Sequence, residues 1–173
     1  MATKKMRGRW ILTGLALLAL VVLADWPRLA LASPGPTIEI TAPTDITAWT
    51  LSPQGTQPKE TTGTLTVTTT DAVGLNWSVT ASDTDTTNTN GQMTKYSGAA
   101  YVLGTKLGTA MQVNGPAGTV TLPTGGDVVA TSGTVTGQGY TITFKQTVLW
   151  SDAVVTGADS YRIVVTFTGS ISG

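Results

Sequence analysis

Apolar and polar side chains alternate in several runs along this chain, and this pattern constrains its fold more than any other feature. Short runs alternate at residues 38–40, 49–51 and 65–67, and two longer runs do so at 140–150 and 161–168. The apolar members of the longer runs are Tyr140, Ile142, Phe144, Val148, Trp150, Tyr161, Ile163, Val165 and Phe167. Successive side chains of a β-strand point to opposite faces, so a period of two predicts half-buried strands.

Turn-forming clusters separate these runs and set the number of strands. They include Asn90-Gly91, Asn114-Gly115-Pro116 and Gly137-Gln138-Gly139, in which glycine supplies positive φ and proline presets a turn. No segment after residue 36 has an apolar stripe of helical period. The spacing predicts an all-β fold, an antiparallel β-sandwich of roughly 8–10 strands. We expect this single domain at residues 37–173, after a Pro-rich linker at 33–36.

The first 32 residues predict where the chain is located. Lys4, Lys5, Arg7 and Arg9 precede an apolar run at residues 10–24, and the small residues 30–32 come before Ser33. This order is typical of a secretory signal peptide, because the apolar run is shorter than the roughly 20 residues that span a bilayer. We expect cleavage before Ser33 and a secreted, extracellular or cell-surface protein with no stable membrane span. An uncleaved N-terminal anchor is the alternative.

Charge and composition exclude several function classes. Residues 1–32 hold five of the ten basic and one of the ten acidic residues, so the remaining chain has five basic and nine acidic residues and a net charge of −4. This balance argues against nucleic acid as a partner. The chain has no His and no Cys, which excludes Ser-His and Cys-His catalysis and disulfides. We expect a protein without cofactors that is not an enzyme, although Glu39 and Glu60 leave a two-carboxylate glycosidase formally open.

Residues 83–91, which we call the acidic loop, form the one candidate metal site. Asp83, Asp85, Asn88 and Asn90 place oxygen ligands in a short stretch, as Ca²⁺ requires. The spacing differs from that of an EF-hand, and no Glu closes the loop. The same residue types are also favoured in turns. We therefore expect a polar connection between strands, with calcium as the minority alternative.

The aromatic residues offer a second candidate site, a platform for sugar or peptide. Trp77, Trp150 and Phe167 keep the apolar parity of their runs, which predicts that they pack in the core. Three further aromatic residues border polar or glycine-rich stretches, and we expect them to be partly exposed and available for binding. They are Trp49, Tyr96 and Tyr101.

Two segments carry a resemblance to a known family. Residues 65–81, with Trp77 near their end, resemble the first motif region of WxL domains, and residues 161–168 resemble the closing motif. Val79 stands where the first motif has leucine, and Phe167 stands where the second has tryptophan. The resemblance spans most of residues 62–172. It implies an all-β domain of a cell-surface protein that associates non-covalently with the cell wall, in particular with peptidoglycan.

These observations lead to two functional expectations. The first is a secreted, non-catalytic binding module of the cell surface or cell wall, whose partner is a wall polymer or a surface protein. The alternative is a structural surface protein that polymerises by strand addition into a filament or surface layer. This alternative rests on the extended segment at residues 34–41, which could pair with the open sheet edge of a neighbouring copy.

Overall fold

The computed structural model describes residues 34–53 and 57–173, and in this part of the chain it is all-β. Half of these residues lie in strands, every paired strand is antiparallel, and no helix is present among them. The expected signal peptide and its cleavage site fall on residues outside the described ones. The strands are β1 Thr37–Thr41, β2 Lys59–Thr70, β3 Asn76–Ser82, β4 Thr94–Ser97, β5 Ala100–Lys106, β6 Gln112–Gly115, β7 Gly118–Thr121, β8 Gly126–Ser132, β9 Gln138–Gln146, β10 Ser160–Arg162 and β11 Thr166–Ser172.

The largest sheet has five strands in the order β1-β2-β9-β6-β7. Its centre is the long pairing of β2 with β9, which runs from Lys59 opposite Gln146 to Val67 opposite Gln138. In β2 the apolar Leu65 and Val67 are fully buried, whereas Thr66 between them is only partly buried. The alternation in the sequence therefore places one face of the sheet against the core, as a half-buried strand requires.

Two three-stranded sheets complete the fold, with the orders β11-β3-β8 and β10-β4-β5. The prediction of an antiparallel, sandwich-like all-β domain is thus confirmed, with eleven strands in the described residues. Trp77 on β3 is 2% exposed, and its indole Nε1 donates a 2.9 Å hydrogen bond to the carbonyl of Gly133. Its predicted core position is confirmed, and its polar atom is satisfied within the fold.

Strand β1 lies at the edge of the five-stranded sheet, where it also reaches β11. It pairs with β2 of the same chain, from Thr37 opposite Thr70 to Thr41 opposite Thr66. Its isoleucines cover Gly169, because a Cβ at that glycine would lie 2.7 Å from Ile40 Cδ1 and 3.0 Å from Ile38 Cδ1. The extended N-terminal segment therefore already contributes a strand to its own domain.

The predicted core position of Trp150 is wrong, because its side chain is 79% exposed. Its run was expected to continue as one strand, but β9 ends at Gln146. The buried Gln146 amide donates to the carbonyls of Thr109 and Thr147, and the chain then enters a turn in which Asp152 N donates to Leu149 O. The turn rotates Trp150 out of the inward parity that holds as far as Val148.

The expected C-terminal strand at 161–168 is also corrected, because it is two strands in different sheets. Strand β10 pairs with β4, and β11 pairs with β3. The three residues between them keep their alternation, with Ile163 and Val165 packed on the core and Val164 63% exposed. Similarly, residues 49–51 are not a strand, although Trp49 and Leu51 pack against the core.

Candidate functional site

The acidic loop is built around the carboxylate of Asp83, which is 4% exposed. Its Oδ2 accepts 2.6 Å hydrogen bonds from the Thr89 hydroxyl and from the Gly91 amide. Its Oδ1 accepts a 3.0 Å bond from the amide of Asp85. A buried carboxylate must be compensated by donors, and these three bonds provide the compensation inside the loop itself. Asp83 therefore holds the two ends of the loop together.

Asp85 caps the middle of the same loop. It accepts hydrogen bonds from the backbone amide of Asn88 at 2.9 Å and from the Asn88 side-chain amide at 2.8 Å. These bonds lower the pKa of Asp85, the backbone bond contributing most. Asn90 has a positive φ of 48° and its amide donates to the carbonyl of Asp85. Both carboxylates and the asparagines thus take part in turn hydrogen bonds typical of such sequences.

Glycine is required at position 91 because the loop packs closely on another segment. A Cβ there would lie 2.5 Å from the backbone of Leu122, and the residue has a φ of +82°. Met111 also donates its amide to the Gly91 carbonyl at 2.8 Å. In residues 34–53 and 57–173, no three Asp or Glu side chains form a group that could hold a metal ion. The calcium hypothesis therefore rests on the sequence alone.

Tyr96 and Tyr101, two of the three candidate binding residues, form one aromatic pair. They lie opposite each other on β4 and β5, with ring centroids 5.2 Å apart and planes at 81°. A tight turn joins the strands, in which Gly98 and Ala99 both have positive φ. The guanidinium of Arg162 on β10 lies 3.9 Å from the Tyr96 ring centroid. We call these three residues the tyrosine cluster.

The tyrosine cluster and the acidic loop are neighbours. Burial raises the pKa of Tyr101 above its ordinary value, and the negative charges of Asp85 and Asp83 raise it further. Lys106, at the end of β5, donates a 3.2 Å hydrogen bond to the carbonyl of Thr89 and so links the hairpin to the loop. The structure therefore places the acidic loop next to the two tyrosines that follow it in the sequence.

Trp49, the third candidate, lies elsewhere and lines a groove of about 200 Å³. The groove also contains Met93, Met111, Phe144 and Phe167, with Asp45 among its outer residues. Trp49 is partly buried, and neither Tyr96 nor Tyr101 is among the described residues that line its groove. The three aromatic candidates thus belong to two sites rather than to one platform.

Sequence reasoning missed Arg162 and Asp45 as functional candidates. Arg162 carried a usable signal, because it is one of only five basic residues after position 32 and lies on the polar face of its run. Asp45 carried none, since it lies in an irregular segment at 42–53 whose path no periodicity predicts. The described residues contain no helix long and apolar enough to cross a membrane.

Comparison with known proteins adds no further constraint. No protein-family model, no curated protein and no solved structure matches the chain.

Proposed function

We propose that this chain is a secreted, non-catalytic binding module of the cell surface or cell wall, and that it contacts its ligand through the tyrosine cluster. One observation carries the proposal, namely that two paired, partly exposed tyrosine rings carry a guanidinium stacked 3.9 Å from one of them. Surface aromatic pairs with an adjacent arginine are typical of binding sites rather than of folding cores.

The cluster has the chemistry to bind a polymer that combines sugar rings with carboxylates. The tyrosine rings offer flat apolar faces and polar hydroxyl edges, on which a sugar can pack. Arg162 is exposed, and only its Nε is bonded within the described chain, to Ser160 at 3.4 Å. A guanidinium with free donors binds a carboxylate in a bidentate geometry. Peptidoglycan, with glycan strands and peptide carboxylates, fits this combination, and the WxL resemblance points to the same polymer.

The neighbouring loop supports the cluster by limiting its motion. Asp83 and Asp85 hold the acidic loop through hydrogen bonds of 2.6 to 3.1 Å, and Lys106 connects β5 to it. On the other side, Lys95 of β4 forms a 2.8 Å ion pair with Asp159, next to β10. Holding a site in its binding conformation reduces the entropy lost on association. The cluster is thus preorganised on three short strands.

Cosedimentation with purified peptidoglycan sacculi tests the proposal. We expect the full chain to pellet with the sacculi, and Arg162→Gln to weaken its affinity by about tenfold, as expected for losing a hydrogen bond to a charged group. Lys145→Gln is the matched control, because Lys145 also loses one positive charge but lies on β9 in an ion pair with Glu60. Failure of the wild-type chain to pellet, or equal weakening by both variants, would contradict the proposed site.

Polymerisation through a sheet edge remains the second candidate function, and one feature of β5 favours it. This strand is the edge of its sheet, and Leu103 and Val102 on it are 61% and 37% exposed. Open apolar edges are templates for pairing with another chain. Size-exclusion chromatography and electron microscopy of the full chain distinguish the candidates, because a filament former gives large, concentration-dependent species and Leu103→Lys removes them. A monomer at all concentrations would exclude this candidate.

A further inference from the structure

The groove that contains Trp49 is apolar at its floor and charged at its rim. Met93, Met111 and Phe144 are 8%, 3% and 6% exposed and form the floor. Trp49 and Phe167 are partly buried and form aromatic walls, and the rings of Phe167 and Phe144 meet edge to face with centroids 6.4 Å apart. This arrangement removes water from one end of a bound molecule and leaves the other end near solvent.

Asp45 makes the rim of the groove negatively charged. It is exposed, and it is the one charged side chain that lines the groove in the described part of the chain. It makes no hydrogen bond or ion pair with any other described residue, unlike Asp83, Asp85, Asp152 and Asp159, which are all engaged. Its carboxylate is therefore available to a cation, and it disfavours an anion at the same position.

We propose that this groove binds a small amphipathic cation, an alkyl or aryl ammonium whose apolar part has about six carbons. The apolar part lies on the methionine floor, and the ammonium lies at the rim near Asp45 and Trp49. Charge complementarity identifies the cation, and an indole face near an ammonium adds a cation–π attraction. The proposal concerns a site separate from the tyrosine cluster and does not depend on the proposed function.

The volume of the groove sets the size of the ligand. An apolar cavity of about 150 Å³ accommodates benzene, so the observed volume of about 200 Å³ fits a ring or a chain of six carbons with little room to spare. Methionine side chains suit such a ligand because their unbranched, polarizable thioethers adapt to irregular shapes. A molecule with a longer chain would have to leave apolar atoms in water.

A lysine side chain of another protein is excluded as the occupant, because the floor of the groove is apolar and its charge lies at the rim. A lysine side chain enters a groove with its ammonium foremost, which would place the charge among Met93, Met111 and Phe144 without a carboxylate. An unpaired charge in an apolar site is strongly unfavourable. A free ammonium with a terminal alkyl group binds in the opposite direction, so that its charge stays at the partly solvated rim.

Methionine-methyl NMR of the full chain gives a direct readout. Two of the four methionines of the chain, Met93 and Met111, line the groove, so their methyl signals report on it. We expect titration with hexylammonium to shift the Met93 and Met111 signals in a saturable way. Hexanol should bind about two- to fivefold more weakly, as expected for the loss of one exposed ion pair, and hexanoate more weakly still.

Asp45→Asn is the decisive variant, because the residue is exposed and the domain is expected to fold without its charge. We expect it to remove most of the preference for hexylammonium over hexanol and to leave only the cation–π contribution of Trp49, whereas Glu39→Gln, at an acid outside the groove, should keep the full preference. Equal affinities in the wild-type chain, or no shift of Met93 and Met111, would overturn the proposal. Shifts that depend on protein concentration without ligand, and that vanish in Trp150→Ala, would assign the groove to a second copy and also overturn it.

Discussion

Two aromatic pairs in this domain have nearly the same geometry and opposite surroundings. Trp77 and Tyr140 have centroids 6.0 Å apart with planes at 72°, and Tyr96 and Tyr101 have centroids 5.2 Å apart at 81°. Trp77 and Tyr96 also lie on equivalent strands, because each is on the middle strand of a three-stranded sheet. The partner differs, because Tyr140 belongs to the five-stranded sheet, whereas Tyr101 is on the strand next to Tyr96.

The difference shows that the position of the partner, and not the ring geometry, decides what a pair does. A pair between two sheets is covered from both sides and holds the layers together, as the 2% exposure of Trp77 indicates. A pair within one sheet stabilises two neighbouring strands and leaves ring surface on the outside. We therefore expect mutations in the first pair to reduce stability and mutations in the second pair to reduce binding.

The largest expected effect is that of Trp77→Ala. Removing this buried indole leaves a cavity and leaves the Gly133 carbonyl without its donor, so the free energy of unfolding should fall by about 3–5 kcal/mol. Thermal melts followed by circular dichroism measure it. Trp150→Ala is the matched control, because it removes the same side chain from a 79% exposed position and should change stability by less than about 0.5 kcal/mol. Equal losses in the two variants would contradict the burial assigned to both.

The next effect concerns two glycines near the Tyr96–Tyr101 pair, Gly91 in the acidic loop and Gly98 in the turn between the tyrosines. Gly91→Ala adds a Cβ that would lie 2.5 Å from the Leu122 backbone at a φ of +82°. We expect it to cost more than the roughly 1–2 kcal/mol of a left-handed alanine alone. Gly98→Ala, in the turn between Tyr96 and Tyr101, has a φ of +54° and open space around the new Cβ, so it should cost only that amount. A smaller loss for Gly91→Ala than for Gly98→Ala in denaturant melts would break this distinction.

The smallest expected effect is a loss of stability at alkaline pH, to which one tyrosine of each pair contributes. Burial raises the pKa of Tyr140 and of Tyr101 above the ordinary value of about 10. Above that pH the unfolded chain loses phenolic protons that the folded chain retains, so the free energy of unfolding decreases as pH rises. Melts between pH 8 and 11 should show this decrease, and Tyr101→Phe should reduce it. An unchanged slope in Tyr101→Phe would mean that its phenol titrates normally.

The sequence predicted the architecture and one of the two aromatic environments. Alternation predicted the buried faces of β2 and β9 and the core position of Trp77 on β3 correctly, because a paired strand keeps the period of two. It was wrong for Trp150, because β9 ends at Gln146 and the turn that begins at Leu149 moves the Trp150 side chain outward. Alternation also wrongly predicted one strand where β10 and β11 are separate. The period of two continues through the residues between them, although the chain passes there from one sheet to another.

The candidate sites were predicted only as separate pieces. Composition identified the acidic loop, Trp49, Tyr96 and Tyr101, but tertiary pairing decides that two of these aromatic residues meet and the third does not. Arg162 reaches Tyr96 only because β10 pairs with β4 across more than sixty residues of chain. Such long-range placement depends on strand order, which a local pattern does not encode.

Binding measured together with stability tests the central claim most directly. The double variant Tyr96→Ala, Tyr101→Ala should lose the pair contact, about 0.5–1.5 kcal/mol, together with the partial burial of the two rings, and should remain folded at about 20 °C. Its cosedimentation with peptidoglycan sacculi should nevertheless be lost. Tyr140→Ala, which breaks the other pair, should destabilise the domain more and keep its binding while folded. Undiminished binding by the folded double variant would contradict the account.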